Sequence, residues 1–194
     1  MKVQRIGPWN VPTQANCECS GKLRVVTLEK YDFSDYVGFK VTLNGIPGLR
    51  CDKCHGETIF GGMVNAALNL TLMKIIEHPG RLRADEAQFL RRNLGITQEE
   101  LATRMGINRV TVAKWECDDE PISPQHDYVL RGTVLAGFAA LHSIPKETAD
   151  KIIRSVFNGV RTLPPEAATI IDASSLDTVA RWPIGKHNER RLGK

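Results

Sequence analysis

Apolar and polar positions change their period along the chain, and the change divides it into a β half and an α half. Between Lys22 and Cys51 the stretches KLRVVTLEKYDF and DYVGFKVTLNGIPGLRC alternate in part and are rich in Val, Leu, Thr, Tyr and Phe, which predicts strands. Asn44-Gly45 and Pro47-Gly48 supply turn residues, so a small antiparallel sheet is expected there. Residues 60–77 read as a helix with a broad apolar face, stopped at His78-Pro79-Gly80 because a proline disfavours the helical conformation of its predecessor. Five further helical patterns follow, over 84–93, 97–105, 108–117, 123–142 and 146–158. Asp85 and Glu86 suit a first turn, Thr97 with Glu100 forms a capping box, Asn108 caps the next helix, and Ser123-Pro124 is a cap followed by proline. In the last pattern Ala149, Ile152, Ile153 and Val156 share one face.

These periods predict an α+β protein with five regions. Residues 1–16 hold two prolines without periodicity and read as an irregular arm; residues 17–60 form the β domain; 61–80 are a connecting helix and linker; 81–160 form the all-α domain. Residues 161–194, with three prolines and a charged end, read as a tail that docks through Ile170, Ile171 or Trp182. An apolar content of 42% over 194 residues is enough for buried cores. The longest apolar stretch, 61–76, is broken by Asn65, Asn69 and Lys74 and is short of the roughly 20 residues that cross a bilayer. The opening residues lack the apolar core of a secretory signal, so a cytoplasmic location without membrane association is expected. The formal charge is +4, yet residues 81–120 hold more acidic than basic side chains. Nucleic-acid binding must therefore be argued from particular residues.

Four of the five cysteines fall into two close pairs, Cys17/Cys19 and Cys51/Cys54, at the two ends of the predicted sheet. Two short thiolate pairs brought together by a hairpin satisfy the tetrahedral preference of Zn2+. The N-terminal region is therefore expected to be a zinc ribbon with a structural ion, because four protein sulfurs leave no open position for substrate. The Cys17-Glu18-Cys19 spacing is tighter than the usual C-x-x-C. Alternatives are a mixed site that takes His55, and free or redox-active cysteines using Cys51 and Cys54. Cys117 stands apart and reads as a partly buried thiol. H-E-x-x-H, G-x-S-x-G and phosphate-cradling glycine loops are missing from the sequence, so an enzyme is not expected.

Residues 95–116, GITQEELATRMGINRVTVAKWE, combine a capped helix, a small Ala102, the turn residue Gly106 and a second helix ending in Trp-Glu. Leu101, Ala102 and Met105 face inward, and Val112 and Trp115 anchor the second helix at i and i+3. Arg109, Val110, Ala113 and Lys114 are then left outward, with Thr111 at the flank. Such a face suits a major groove: Arg109 can pair with guanine, Val110 can touch a thymine methyl, and Lys114 can reach a base or phosphate. Gln98 and Asn108, each at a helix start, complete the candidate DNA contacts. A plain three-helix packing module with solvated Arg and Lys is the alternative.

Residues 84–131 resemble the Xre, or lambda-repressor-like, helix-turn-helix domain. The resemblance implies that Arg91 pairs with Glu116 and that Gln98, Arg109, Val110 and Lys114 hold DNA-contacting positions. One departure is Cys117-Asp118-Asp119-Glu120 in place of a polar-Gly turn, which makes the following loop acidic. With the N-terminal cysteine pairs and G-I-P-G-L-R-C-D-K-C-H-G-E, residues 17–142 resemble the MqsA/YgiT-type antitoxins and related zinc-finger/helix-turn-helix regulators. This wider resemblance implies an antitoxin whose zinc domain neutralises a cognate toxin while its helix-turn-helix domain represses the shared promoter. A free-standing regulator without a toxin is the alternative. A two-fold operator calls for a homodimer, for which Tyr128, Val134, Leu135, Phe138 and Leu141 offer apolar surface, unless they pack on the domain's own core.

Overall fold

The computed structural model describes residues 3–6, 8–12, 16–142, 144, 146–158 and 169–175. The chain is α+β: strands with a four-cysteine cluster come first and helices follow. It divides into two compact units, one comprising residues up to Tyr36, Lys40–Leu70 and the segment carrying the last strand, the other comprising Val37–Phe39 and the helices from Thr71 onward.

In the first unit, β1 (Val3–Ile6) and β2 (Trp9–Pro12) pair as an antiparallel hairpin, where the proline content suggested an irregular arm. Pro8 sits in the turn and Pro12 ends its strand, positions where a missing N–H removes no central ladder bond. Trp9 and Val11 are buried, and the Trp9 ring meets Phe60 edge-on at 6.0 Å.

β3 (Leu23–Asp32) and β4 (Val41–Cys51) pair antiparallel with Leu23 opposite Cys51 and Asp32 opposite Thr42. Asn44-Gly45 and Pro47-Gly48 do not form turns; all four lie inside β4. The chain reverses between Asp32 and Val41, through the short helix α1 (Ser34–Val37). Each of the supposed turn residues has a different physical reason to be there. Gly45 adopts φ +64°, which shifts the buried alternation from Val41 and Leu43 to Ile46. A side chain at Gly48 would collide with Leu28 across the pair. Pro47 occupies a stretch of β4 that β5 (Glu57–Thr58) and β6 (Thr169–Asp172) leave unpaired. β5 pairs with Leu49 and Arg50, and β6 runs parallel to Val41–Asn44. Ile171 in β6 is fully buried, and Asn44 Nδ2 donates to Asp172 Oδ1 at 3.3 Å. The tail thus docks on the sheet through Ile171, while Ile170 is 62% exposed. Trp182 lies outside the described residues.

α2 (Gly61–Glu77) is shared by the two units. Its apolar residues Met63, Val64, Ala67, Leu72, Met73 and Ile76 are buried, together with Asn65, Asn69 and Thr71. The second unit then holds α3 (Ala84–Asn93), α4 (Gln98–Met105), α5 (Arg109–Glu116), α6 (Pro124–His142) and α7 (Lys146–Asn158). Leu90, Leu101, Ala102, Val112, Trp115 and Leu130 form its core, and α6 adds Val134, Leu135 and Phe138, all nearly without exposure. The apolar side of α6 therefore packs on its own domain, with Tyr128 half-buried and Leu141 exposed. On α7 the side chain of Ile153 is 38% exposed; those of Ile152 and Val156 lie outside the description.

Candidate functional site

In the first unit the two cysteine pairs meet. Cys17 begins a turn in which its N–H donates to Gly21 O at 2.8 Å and its carbonyl accepts from Ser20 N at 2.8 Å. On the other side Cys51 ends β4, and its N–H donates to Gly56 O at 3.0 Å. Cys17 Sγ then lies 3.6 Å from Cys54 Sγ, and Cys19 Sγ lies 3.4 Å from Cys51 Sγ. All four ligand atoms fall within 4.8 Å of one another. A tetrahedron of sulfurs with metal–sulfur bonds near 2.3 Å has edges of roughly 3.8 Å, so the donor set fits a single thiophilic ion. His55 is exposed and takes φ +59°, and the candidate metal-binding group consists of the four cysteines.

The amides around the cluster prepare the sulfurs unequally. The Cys54 and Lys53 amides hold the Cys51 thiol down to about 6 against the effect of burial. Cys19 goes the other way, to about 12: the Gly21 amide favours its thiolate, but hydrogen bonding to Cys51 and Cys54, burial and Cys17 outweigh it. A thiolate at Cys51 thus discourages ionisation of Cys19, a cost that a bound cation would offset. Sequence reading passed over Gly21. A Cβ at Gly21 would come 2.5 Å from Cys51 Sγ and 2.8 Å from Lys53 Cβ, so the close approach of the two turns requires glycine.

The second unit presents the helix-turn-helix. Thr97 caps α4, accepting from Glu100 N at 3.1 Å, while Glu100 accepts from Thr97 N at 2.6 Å. The Thr97 amide, with help from the Thr97 side chain, holds the Glu100 carboxyl below the ordinary range. Gly106 ends α4 at φ +67°, and the Asn108 side chain caps α5 by accepting from Val110 N at 2.8 Å. With Val112 and Trp115 buried, Arg109 and Lys114 are exposed, Val110 is 57% exposed, and Thr111 and Ala113 are half-buried. Arg109, Val110 and Lys114 thus stand together on one outward face. Lys114 Nζ is engaged by Glu120 Oε2 at 3.3 Å.

Glu116 locks this geometry from below. Arg91 forks onto it through Nε to Oε1 at 2.6 Å and Nη2 to Oε2 at 2.7 Å, and Arg91 Nη1 donates to Ile96 O at 2.8 Å. Gln98 Nε2 adds a third donor to Glu116 at 3.0 Å, so its amide nitrogen is directed inward. Burial pushes the Glu116 carboxyl up, but the Arg91 and Gln98 donors outweigh it and hold it below the usual range. Cys117, expected to be partly buried, is instead exposed just beyond α5.

A buried pair that the sequence pattern did not suggest supports the same unit. Asp127 and Arg131, one turn apart on α6, are essentially without exposure and bond at 2.5 Å. Arg131 also donates to the carbonyls of Ile75, Ile76, His78 and Gly80. It thereby satisfies two carbonyls in the last turn of α2, those of Ile75 and Ile76, and two in the segment that follows. Asp127 accepts from Leu82 N at 2.8 Å. An Asp-x-x-x-Arg spacing inside an otherwise apolar helix was the available signal.

Among the described residues no helix is long and apolar enough to cross a membrane. No curated protein and no solved structure gives a significant match to the chain. Residues 88–125, from α3 into the start of α6, match the helix-turn-helix family HTH_3, a match that agrees with the capped α4–Gly106–α5 geometry and supports a DNA-binding regulator.

Proposed function

We propose that the chain is a sequence-specific DNA-binding transcriptional repressor that reads duplex DNA with α5. The observation that carries this is the orientation of that helix: Val112 and Trp115 are buried while Arg109, Val110 and Lys114 face outward. Arg109 supplies bidentate donors for guanine, Val110 an apolar surface for a thymine methyl, and Lys114 a phosphate or base contact. Asn108 and Thr111 flank them. Gln98 contributes through its free amide oxygen and the amides that open α4. One such helix covers only a few base pairs, so a homodimer on a two-fold operator is part of the proposal. Anisotropy titration of the full chain against duplexes from its own upstream region tests this reading. Arg109→Ala is expected to cost about 1 to 3 kcal/mol and to relax preference at one base pair. An equal loss on every sequence would make Arg109 a backbone contact instead.

The four-cysteine cluster is proposed to hold one structural Zn2+, making the first unit a zinc ribbon in a cytoplasmic protein. The donor set supports this, since four thiolates suit a soft, redox-inert ion and leave no open catalytic position. We further propose that this unit docks a cognate toxin, so that the chain is the antitoxin of a type II toxin-antitoxin pair. The support is the similarity of its cysteine-bearing segment, joined to a helix-turn-helix, to MqsA/YgiT-type antitoxins. A free-standing regulator whose ribbon binds another protein is the second reading. Metal analysis should return about one zinc per chain, and co-purification with the product of the adjacent gene separates antitoxin from free-standing regulator.

A further inference from the structure

The loop after α5 concentrates features that stability alone would avoid. Asp118, Asp119 and Glu120 come just past the Cys117 cap of the helix, where its exposed carbonyls already carry the negative end of the dipole. Asp118 moreover adopts φ +61°, a left-handed conformation that glycine takes at no steric cost. The backbone there closes as a Schellman turn, Asp119 N to Lys114 O at 2.9 Å and Asp118 N to Trp115 O at 3.3 Å. That turn sends the loop back beside the helix. Glu120 Oε2 consequently reaches Lys114 Nζ at 3.3 Å, with the two side chains 51% and 52% exposed. An exposed pair of this kind adds little to a fold. Its position is what matters, because Lys114 is the lysine of the outward face of α5.

We propose that Glu120 is a built-in stand-in for a DNA phosphate, holding Lys114 until a duplex displaces it. The inference rests on the reading of α5 as the duplex-binding surface. A carboxylate and a phosphate oxygen make the same charge-assisted contact to an ammonium group, so the two compete for one partner. The cost falls on every duplex alike, since a backbone contact carries no sequence information. The device therefore lowers indiscriminate binding by a chain whose formal charge is +4.

The test uses the full chain, a random-sequence duplex of about 20 base pairs, and salt titration from about 50 to 300 mM. Glu120→Gln should tighten binding about two- to fivefold at the low-salt end, the range set by an exposed ion pair. It should also steepen the salt dependence, because salt screens the Glu120–Lys114 pair that competes with the duplex in the unaltered chain. In a Lys114→Gln background the Glu120→Gln change should have no effect. An unchanged affinity and slope on Glu120→Gln overturns the proposal while leaving α5 as the reading helix. So does an equal gain in the Lys114→Gln background, because Glu120 would then repel the backbone directly. If the unaltered chain binds no duplex at all, the proposal and the reading of α5 fail together.

Discussion

Glu116 shows how one side chain can set the orientation of a helix and of its outward face. It is 2% exposed, accepts from Arg91 and Gln98, and ends the helix whose other side faces solvent. Because its carboxyl is held below the ordinary value of 4.5, it stabilises the fold at neutral pH, and that contribution is lost as pH falls below about 4.5 through the lowered value. Glu86 titrates in the opposite sense, since burial pushes its carboxyl up. Comparison with a variant therefore isolates the effect of Glu116. Glu116→Gln is expected to lower stability by about 3 kcal/mol at pH 7, because it leaves the Arg91 charge without its counterpart. The gap should narrow in acid, as chemical denaturation at pH 7 and pH 3.5 would reveal; a gap independent of pH would mean that Glu116 is not charged in the folded chain. At Asp118 the expectation has the other sign. Asp118→Gly removes the left-handed strain at φ +61° and should raise stability by about 1 kcal/mol, seen as a higher melting temperature; no rise would show that the loop carries no such strain.

At the scale of elements, the helices were more legible than the strands. Apolar spacing and capping residues mark α3 to α7 because a helix stores its period and its ends locally. In β4 the same glycine and proline signals misled: Gly45, Pro47 and Gly48 serve a phase shift, an unpaired edge and a close approach to Leu28. These are relations to other strands, which a local reading does not contain. The hairpin of β1 and β2 was hidden for a similar reason, since its four-residue strands depend on burying Trp9 and Val11. Within the candidate sites, the cysteine spacing and the alternation of Val112 and Trp115 with Arg109 and Lys114 stood out in the sequence. Gly21 and the inward turn of the Gln98 amide did not, because each is defined by residues far away in the chain; the Asp127–Arg131 spacing is local, but its burial depends on distant partners such as the Gly80 carbonyl. Gly21 yields a direct test: Gly21→Ala should break the approach of the two cysteine turns and lower metal occupancy to well below one ion per chain. Full occupancy in that variant would mean that the turns open without cost.

At the scale of the whole molecule, each unit has buried apolar residues of its own, and under the zinc proposal the cysteine-bearing end of the β unit depends on a metal while the helical unit does not. Coordination in small zinc domains contributes on the order of 10 kcal/mol to folding. Chelation, or Cys51→Ser, is therefore expected to melt the first unit while duplex binding by the helices persists. Circular dichroism and a binding assay on one sample would check this, and loss of both signals together would show a single cooperative unit. Since Val134, Leu135 and Phe138 are spent on the internal core, a dimer must use other surface, for which Val129, Leu141 and Ile153 are exposed. Sedimentation at micromolar concentration should give a dimer that Leu141→Glu weakens, and a strict monomer would remove the two-fold operator from the proposal. The most direct measurement is the amide spectrum of the labelled full chain as a preferred duplex is added. Shifts concentrated at Arg109, Val110, Thr111 and Lys114 and at the start of α4 are the predicted result; an undisturbed α5 beside shifts elsewhere would contradict it.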